Sequence, residues 1–299
     1  MAKKKRNIKK KIGLILLSLI IIILLMGFLS KLNFNSDPKI AIVHLDGPIS
    51  ITTPTTSFLK SSNGIEKILK DLNQIKKDST IKGVIIQINS PGGTVVASQE
   101  IANAVKNIGK PSIALIREVG ASGGYWVASA ADEIVASEVS ITGSIGVISS
   151  YLEFSDLFEK YGVSYERLVA GERKDLGVPY RKLSVNEKVV LQNKINLIHE
   201  YFIKEVAKNR KMDLEKVKNY ANGEFYLGSE ALKIGLIDKI GDREIALNLM
   251  KEKIGADKIQ IVEYKKESGI LNLFGSGAYA IGKGIGDSLS LNDESLVKV

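Results

Sequence analysis

Residues 12–29 run for 18 positions without a charged side chain, directly behind a segment that is almost wholly basic. At about 1.5 Å of rise per residue, such a run forms a helix roughly 27 Å long, close to the hydrocarbon thickness of a bilayer. Every face of that helix would be apolar, so it has no side that prefers water, unlike a helix packed on a soluble core. The expectation is a transmembrane helix over 12–30. Seven basic side chains precede it in 1–11 (Lys3, Lys4, Lys5, Arg6, Lys9, Lys10 and Lys11). These should stay cytoplasmic, which places the chain beyond Ser30 outside the cytoplasm, as a single-pass protein of the cell membrane. A cleaved signal peptide is the rival reading, but Met26-Gly27-Phe28-Leu29-Ser30-Lys31 is a poor small-residue cleavage site.

The basic cluster also accounts for the charge. The chain carries 42 Lys and Arg against 33 Asp and Glu, a net +9, of which residues 1–11 supply seven, so the rest holds only +2. That gives little electrostatic reason to bind nucleic acid. With no Cys there is no thiol nucleophile, disulfide or thiolate-held metal, and the two histidines, His44 and His199, form no ligand spacing. No Cys- or His-held metal site is expected, and nucleophilic or acid–base chemistry must come from Ser, Thr, Lys, Asp, Glu or Tyr.

After a linker at 31–38, short β-rich runs alternate with helical ones through 39–265, the pattern of an α/β domain. Strands are expected at 40–45, 83–89, 112–116, 133–136, 146–149, near 165–169 and at 259–264. Helices are expected at 65–75, 95–108, 123–131, 154–161, 185–209, 214–220, 229–234 and 243–251. The longest carries Leu191, Ile195, Ile198, Phe202 and Val206 on one stripe. Residues 266–299 hold six glycines and several serines with weak periodicity, and read as a mobile tail.

Two strand-to-helix turns could hold chemistry. In Asn89-Ser90-Pro91-Gly92-Gly93 the paired glycines free the backbone to aim N–H groups outward, as an oxyanion hole requires, although a plain capped turn has the same composition. In Gly120-Ala121-Ser122-Gly123-Gly124-Tyr125 a serine among small residues is either a helix N-cap or an exposed nucleophile with the next N–H beside it. A serine nucleophile needs a base. His44 lies in an early strand and reads as a sheet residue. His199 sits mid-helix among polar neighbours and reads as a solvated surface group. A lysine serves where desolvation keeps it neutral, but residue types alone do not choose among the many present.

Five motifs taken together choose: Ile86-Gln87-Ile88-Asn89-Ser90-Pro91-Gly92-Gly93, Ala121-Ser122-Gly123-Gly124-Tyr125, Ile141-Thr142-Gly143-Ser144-Ile145-Gly146-Val147, Gly171-Glu172-Arg173-Lys174-Asp175 and Gly235-Leu236-Ile237-Asp238. In this order, over about 40–247, the chain resembles the signal peptide peptidase A family, membrane-anchored Ser–Lys peptidases of the ClpP/crotonase-like superfamily. The resemblance implies a fold of repeated β-β-α units and a reaction that needs no metal or organic cofactor. It makes Ser122 similar to the nucleophile, Lys174 to the general base and Ser144 to a base-positioning hydroxyl, with the Gly93 and Gly123 N–H groups at the oxyanion-hole positions. Where family members often show Ser-Pro-x-Arg after the lysine, this chain has Val178-Pro179-Tyr180-Arg181, without the hydroxyl. A single copy of the motifs resembles the short form. That implies a homo-oligomeric ring or dome on the membrane, neighbouring chains completing each site, and remnant signal peptides as substrates. A crotonase-type acyl-CoA enzyme and a non-catalytic peptide-binding membrane scaffold are the alternatives on the same fold.

Overall fold

The computed structural model describes residues 18–22, 37–51 and 65–264. The chain divides into two units, Met1–Asp37 and Pro38–Val299. Of the first, residues 18–22 form a helical segment with exposed Leu19, Ile20, Ile21 and Ile22. The rest of the expected span at 12–30, the basic segment 1–11, most of the linker 31–38 and the tail 266–299 lie outside the described residues. Among the described residues no helix is long and apolar enough to cross a membrane.

The second unit is a mixed α/β fold built on a sheet that has eight strands among the described residues. Its strands are β1 (Lys39–Asp46), β2 (Ile81–Ser90), β3 (Ser112–Ala121), β4 (Glu133–Ala136), β5 (Ile141–Gly143), β6 (Phe225–Leu227), β7 (Lys239–Ile240) and β8 (Gln260–Tyr264). The helices are α1 (Glu66–Lys77), α2 (Val95–Lys106), α3 (Gly123–Ser129), α4 (Ser155–Lys160), α5 (Val185–Arg210), α6 (Leu214–Tyr220), α7 (Gly228–Ile234) and α8 (Arg243–Ile254). The path through the sheet is β6-β5-β3-β2-β1-β8, with β4 also on β3 and β7 on β4. Every pairing is parallel except β5 with β6. The apolar runs of β1 and β2 are buried nearly throughout, as parallel strands covered by helices on both faces must be.

One core gathers β-strand side chains such as Val43, Ile86 and Ile88 with α2, α3 and α5; a second sets Ile42, Ile85 and Leu115 against Ala246 and Met250 of α8. The long strand β3 changes partner along its length. Residues 113–116 pair with β4 and residues 119–121 with β5, so its last turn emerges between two sheet arms.

Two expected strands are corrected. Residues 146–149 form no strand: the ladder ends at Gly143, where positive φ at Gly143 (72°) and Ser144 (50°) turns the chain out of the sheet. The Ser144 N–H goes instead to the Glu224 carbonyl at 2.8 Å. Residues 165–169 are exposed and irregular. Their apolar side chains face solvent and no strand pairs with them among the described residues. The short strands β6 and β7, of three and two residues, carry too little pattern to be seen in the sequence.

Candidate active site

Two turns at the carboxyl ends of adjacent parallel strands converge on one cleft. After β2, the buried Ser90 Oγ accepts the Gly92 N–H at 3.2 Å, and Gly92 takes φ 99°. The chain then docks on Ile49. The Ile49 N–H donates to the Gly92 carbonyl and the Thr94 N–H to the Ile49 carbonyl, both at 2.8 Å. This bridge consumes the groups on either side of Gly93 and leaves the Gly93 N–H without an acceptor among the described residues. No side chain fits there, because a Cβ on Gly93 would lie 1.9 Å from the Ile49 carbonyl oxygen.

After β3, Ser122 adopts φ 52° and ψ −121°, a backbone region that a residue with a Cβ enters only under strain. Its neighbours hold it there. The Ser122 N–H donates to the Gly143 carbonyl at 2.8 Å, and the Ser122 carbonyl accepts the Trp126 N–H at 2.9 Å. Ser122 precedes α3 but makes no side-chain cap, so its Oγ is uncommitted among the described residues. Gly123 follows, its N–H unpaired among the described residues as the first residue of α3. A Cβ on Gly123 would sit 2.2 Å from the Ser98 Oγ and 3.2 Å from the Gly93 nitrogen. The two free N–H groups therefore lie side by side, next to the uncommitted hydroxyl. Stacking of Trp126 on Phe202 of α5, with centroids 4.6 Å apart, fixes α3 behind them.

The cleft measures about 1270 Å³ and is lined by Gly93, Ser122, Gly123, Ser144, Val147 and Ile148, and by Gln192, Ile195, Asn196 and His199 of α5. Ser144 donates through Oγ to the Gly223 carbonyl at 3.2 Å. His199 is a correction to the sequence reading. It is half-buried in the cleft wall, and since its Nε2 lies 3.1 Å from the Ile145 carbonyl, which can only accept, that nitrogen carries the proton. Gln192, Asn196 and His199 recur at spacings of four and three, a polar stripe that the apolar stripe beside it obscured. His44 lies in β1 as expected, accepting from Gln87 Nε2 at 3.2 Å and facing Glu263 at 3.3 Å.

Ser122, Ser144, Gly93 and Gly123 thus share one cleft, whereas Lys174 is exposed and does not line it. Lys174 occupies an irregular loop built around the next residue. The carboxylate of Asp175, only 7% exposed, accepts from Arg167 Nε (2.7 Å) and Nη2 (2.8 Å) and from Arg181 Nε (2.8 Å) and Nη2 (3.0 Å). Arg181 continues to both oxygens of Glu187, at 2.9 and 2.7 Å, and Glu187 closes a capping box with Ser184 at the start of α5. Hydrogen bonds first from Arg167 and then from Arg181 hold the Asp175 carboxyl far below the usual carboxylate range. Arg181, followed by the Ser184 N–H, holds Glu187 down to about 2.

The sequence profile of peptidase family S49 matches residues 104–257, which include Ser122, Ser144 and Lys174, and that of the ClpP-like SDH-type serine proteinases matches residues 28–155. The chain belongs to peptidase family S49. This S49 serine peptidase is 35% identical over 296 residues to a protein of Methanocaldococcus jannaschii named as a protease, covering 94% of this chain and 95% of the relative. It is 36% identical over 236 residues to an Enterococcus faecium protein named as a signal peptide peptidase SppA, covering 78% and 69%. It is 31% identical over 268 residues to the chloroplastic serine protease SPPA of Arabidopsis thaliana, covering 85% of this chain and 40% of that one. The acyl-CoA alternative gives way to a peptidase on these relatives.

Proposed function

We propose that the chain is a membrane-anchored endopeptidase that uses Ser122 and Lys174 as a dyad to degrade remnant signal peptides. The observation that carries this reading is the strained Ser122, its hydroxyl uncommitted beside two N–H donors unpaired among the described residues, in a cleft of mixed apolar and polar lining. In the proposed reaction the Lys174 amine takes the Ser122 proton as Oγ adds to a peptide carbonyl carbon. The carbonyl oxygen, now an anion, receives the Gly93 and Gly123 N–H groups, each worth on the order of 100-fold or more in rate. Collapse of the adduct expels the amine, which the lysine ammonium protonates. Water, deprotonated by the same amine, then releases the acyl group, and the chain's own residues suffice for each step.

Lys174 lies outside its own cleft, so a neighbouring copy delivers it in this reading. The exposed apolar side chains support such an assembly. Many fall between residues 148 and 197, including Ile148 (90% exposed), Leu168 (97%) and, one turn apart on α5, Val185 and Val189. A membrane anchor at 12–30 would confine enzyme and lipid-embedded peptide to one surface.

The test is incubation of detergent-solubilised protein with a synthetic signal peptide, with cuts mapped by mass spectrometry and Ser122 tagged by a fluorophosphonate. Cleavage and tagging should vanish in Ser122→Ala. Chains carrying Ser122→Ala and Lys174→Ala, each inactive alone, should regain activity when co-assembled. Uncut peptide with the wild-type oligomer, or full turnover by Lys174→Ala, would refute the reading.

A further inference from the structure

The loop that carries Lys174 is fastened on both sides of it to a single guanidinium. From Gly171 to Val178 the backbone bonds are local: Lys174 N–H to the Gly171 carbonyl at 3.0 Å, Leu176 N–H to Arg173 at 3.3 Å and Val178 N–H to Asp175 at 3.2 Å; a long-range bond, Phe154 N–H to the Pro179 carbonyl at 2.8 Å, comes only beyond them. Such turns shape the loop but do not orient it. Phe154 and the rings of Phe158 and Tyr165 hold the far end at Pro179 and Tyr180, and around Lys174 orientation comes from Arg167, whose Nη2 donates to the Glu172 carbonyl at 2.7 Å while Nε and Nη2 grip the Asp175 carboxylate. Glu172 and Asp175 bracket Lys174 in the chain, so the lysine backbone is held between two contacts of one rigid, planar group.

The grip continues inward. Arg181 takes the same carboxylate from the other side and forks onto Glu187, which caps α5. Farther along, α5 supplies the cleft wall at Asn196 and His199 and the Phe202 ring stacked on Trp126. A line of alternating charges thus ties the loop to the helix that also backs Ser122. The line has a second effect. Asp175 is the acid adjacent to Lys174, and with four N–H donors on its two oxygens it has no lone pair in the carboxylate plane left for the lysine ammonium.

We infer that Arg167, Asp175, Arg181 and Glu187 form a positioning device for Lys174, fixing the loop that presents the amine and keeping the neighbouring carboxylate from capturing it. This inference rests on the assignment of Lys174 as the base. It concerns positioning residues, since none of the four touches Ser122 or lines the cleft.

Asp175→Asn removes the charge while keeping the shape, and Arg167→Lys keeps the charge while losing the fork. Both are compared with wild type and Lys174→Ala on an internally quenched peptide with a signal-peptide-like apolar core, measuring kcat and KM separately beside assembly size and Tm. Displacing a catalytic group by about 1 Å costs on the order of 100-fold. The expected result is a kcat drop of that order in both variants, with KM within twofold and assembly intact. If Asp175→Asn fails to fold, Arg167→Lys carries the test, because Arg167 is exposed and the lysine keeps its charge. An unchanged kcat in a folded variant whose Lys174→Ala counterpart is inactive overturns the positioning role alone, as does a loss confined to Tm or KM. An active Lys174→Ala overturns the base assignment, and the positioning role with it.

Discussion

Ser122 pays for its exposure with backbone strain, and that strain is measurable. At φ 52° and ψ −121° the Cβ crowds the flanking peptide groups. Non-glycine residues held in sparsely populated regions of this kind cost about 1–3 kcal/mol. Glycine removes that cost but adds about 0.5–1 kcal/mol of unfolded-state entropy. Because Ser122 Oγ makes no hydrogen bond among the described residues, removing it should forfeit little else. Ser122→Gly should therefore be about 1 kcal/mol more stable than Ser122→Ala, a Tm difference of about 2–4 °C for a domain of this size. Both variants should be inactive. Urea unfolding and calorimetry of the two proteins, matched in assembly state, measure the difference directly. A glycine variant no more stable than the alanine variant would show that the turn is relaxed and that the strain argument fails.

Other consequences follow from the same contacts. Gly93→Ala forces a Cβ to 1.9 Å from the Ile49 carbonyl oxygen, so the bridge must open and one oxyanion donor swing away; steady-state kinetics should show kcat down about 100- to 1000-fold. Trp126→Ala deletes a buried ring stacked on Phe202 and should lower stability by about 3–5 kcal/mol in urea titrations. The Asp175 and Glu187 carboxyls titrate lower folded than unfolded, so their contribution is complete above the ordinary carboxylate range near pH 4 and fades as pH falls through about 2 for Glu187. Wild type and Glu187→Gln should accordingly differ in urea midpoint at pH 6 and converge as the pH falls toward 2.

The framework was legible because burial leaves a plain signature. The β1 and β2 runs are apolar almost without interruption, and the glycine pairs at 92–93 and 123–124 mark the places where backbone must pass close to backbone. What escaped depends on partners distant in sequence. The run from Ile145 to Ile148 is as apolar as a strand, yet the positive φ of Ser144, stabilised by the Glu224 carbonyl some 80 residues away, removes it from the sheet. His199 resembled a surface residue because nothing in its own helix shows the Ile145 carbonyl opposite. The strain at Ser122 is likewise invisible in a list of small residues. Lys174 stood out only through resemblance to a family: as a charged residue in an exposed loop it has no periodicity to betray it. Its Arg–Asp–Arg–Glu supports are spaced by eight, six and six residues across irregular chain, where no repeat would flag them.

The crowding around Gly93 and Gly123 also constrains how the pocket could diversify. At Gly93 and Gly123 there is no room for a side chain, since the direction a Cβ would take is filled by Ile49 at the first and by Ser98 and the facing Gly93 amide at the second. Elsewhere the cleft is lined by Gln192, Asn196 and His199 on one helix and by Val147 and Ile148 on a stretch outside the sheet, none of which a Cβ at either glycine would meet. Descendants of such a scaffold can change their diet by altering one wall while inheriting the reaction unchanged.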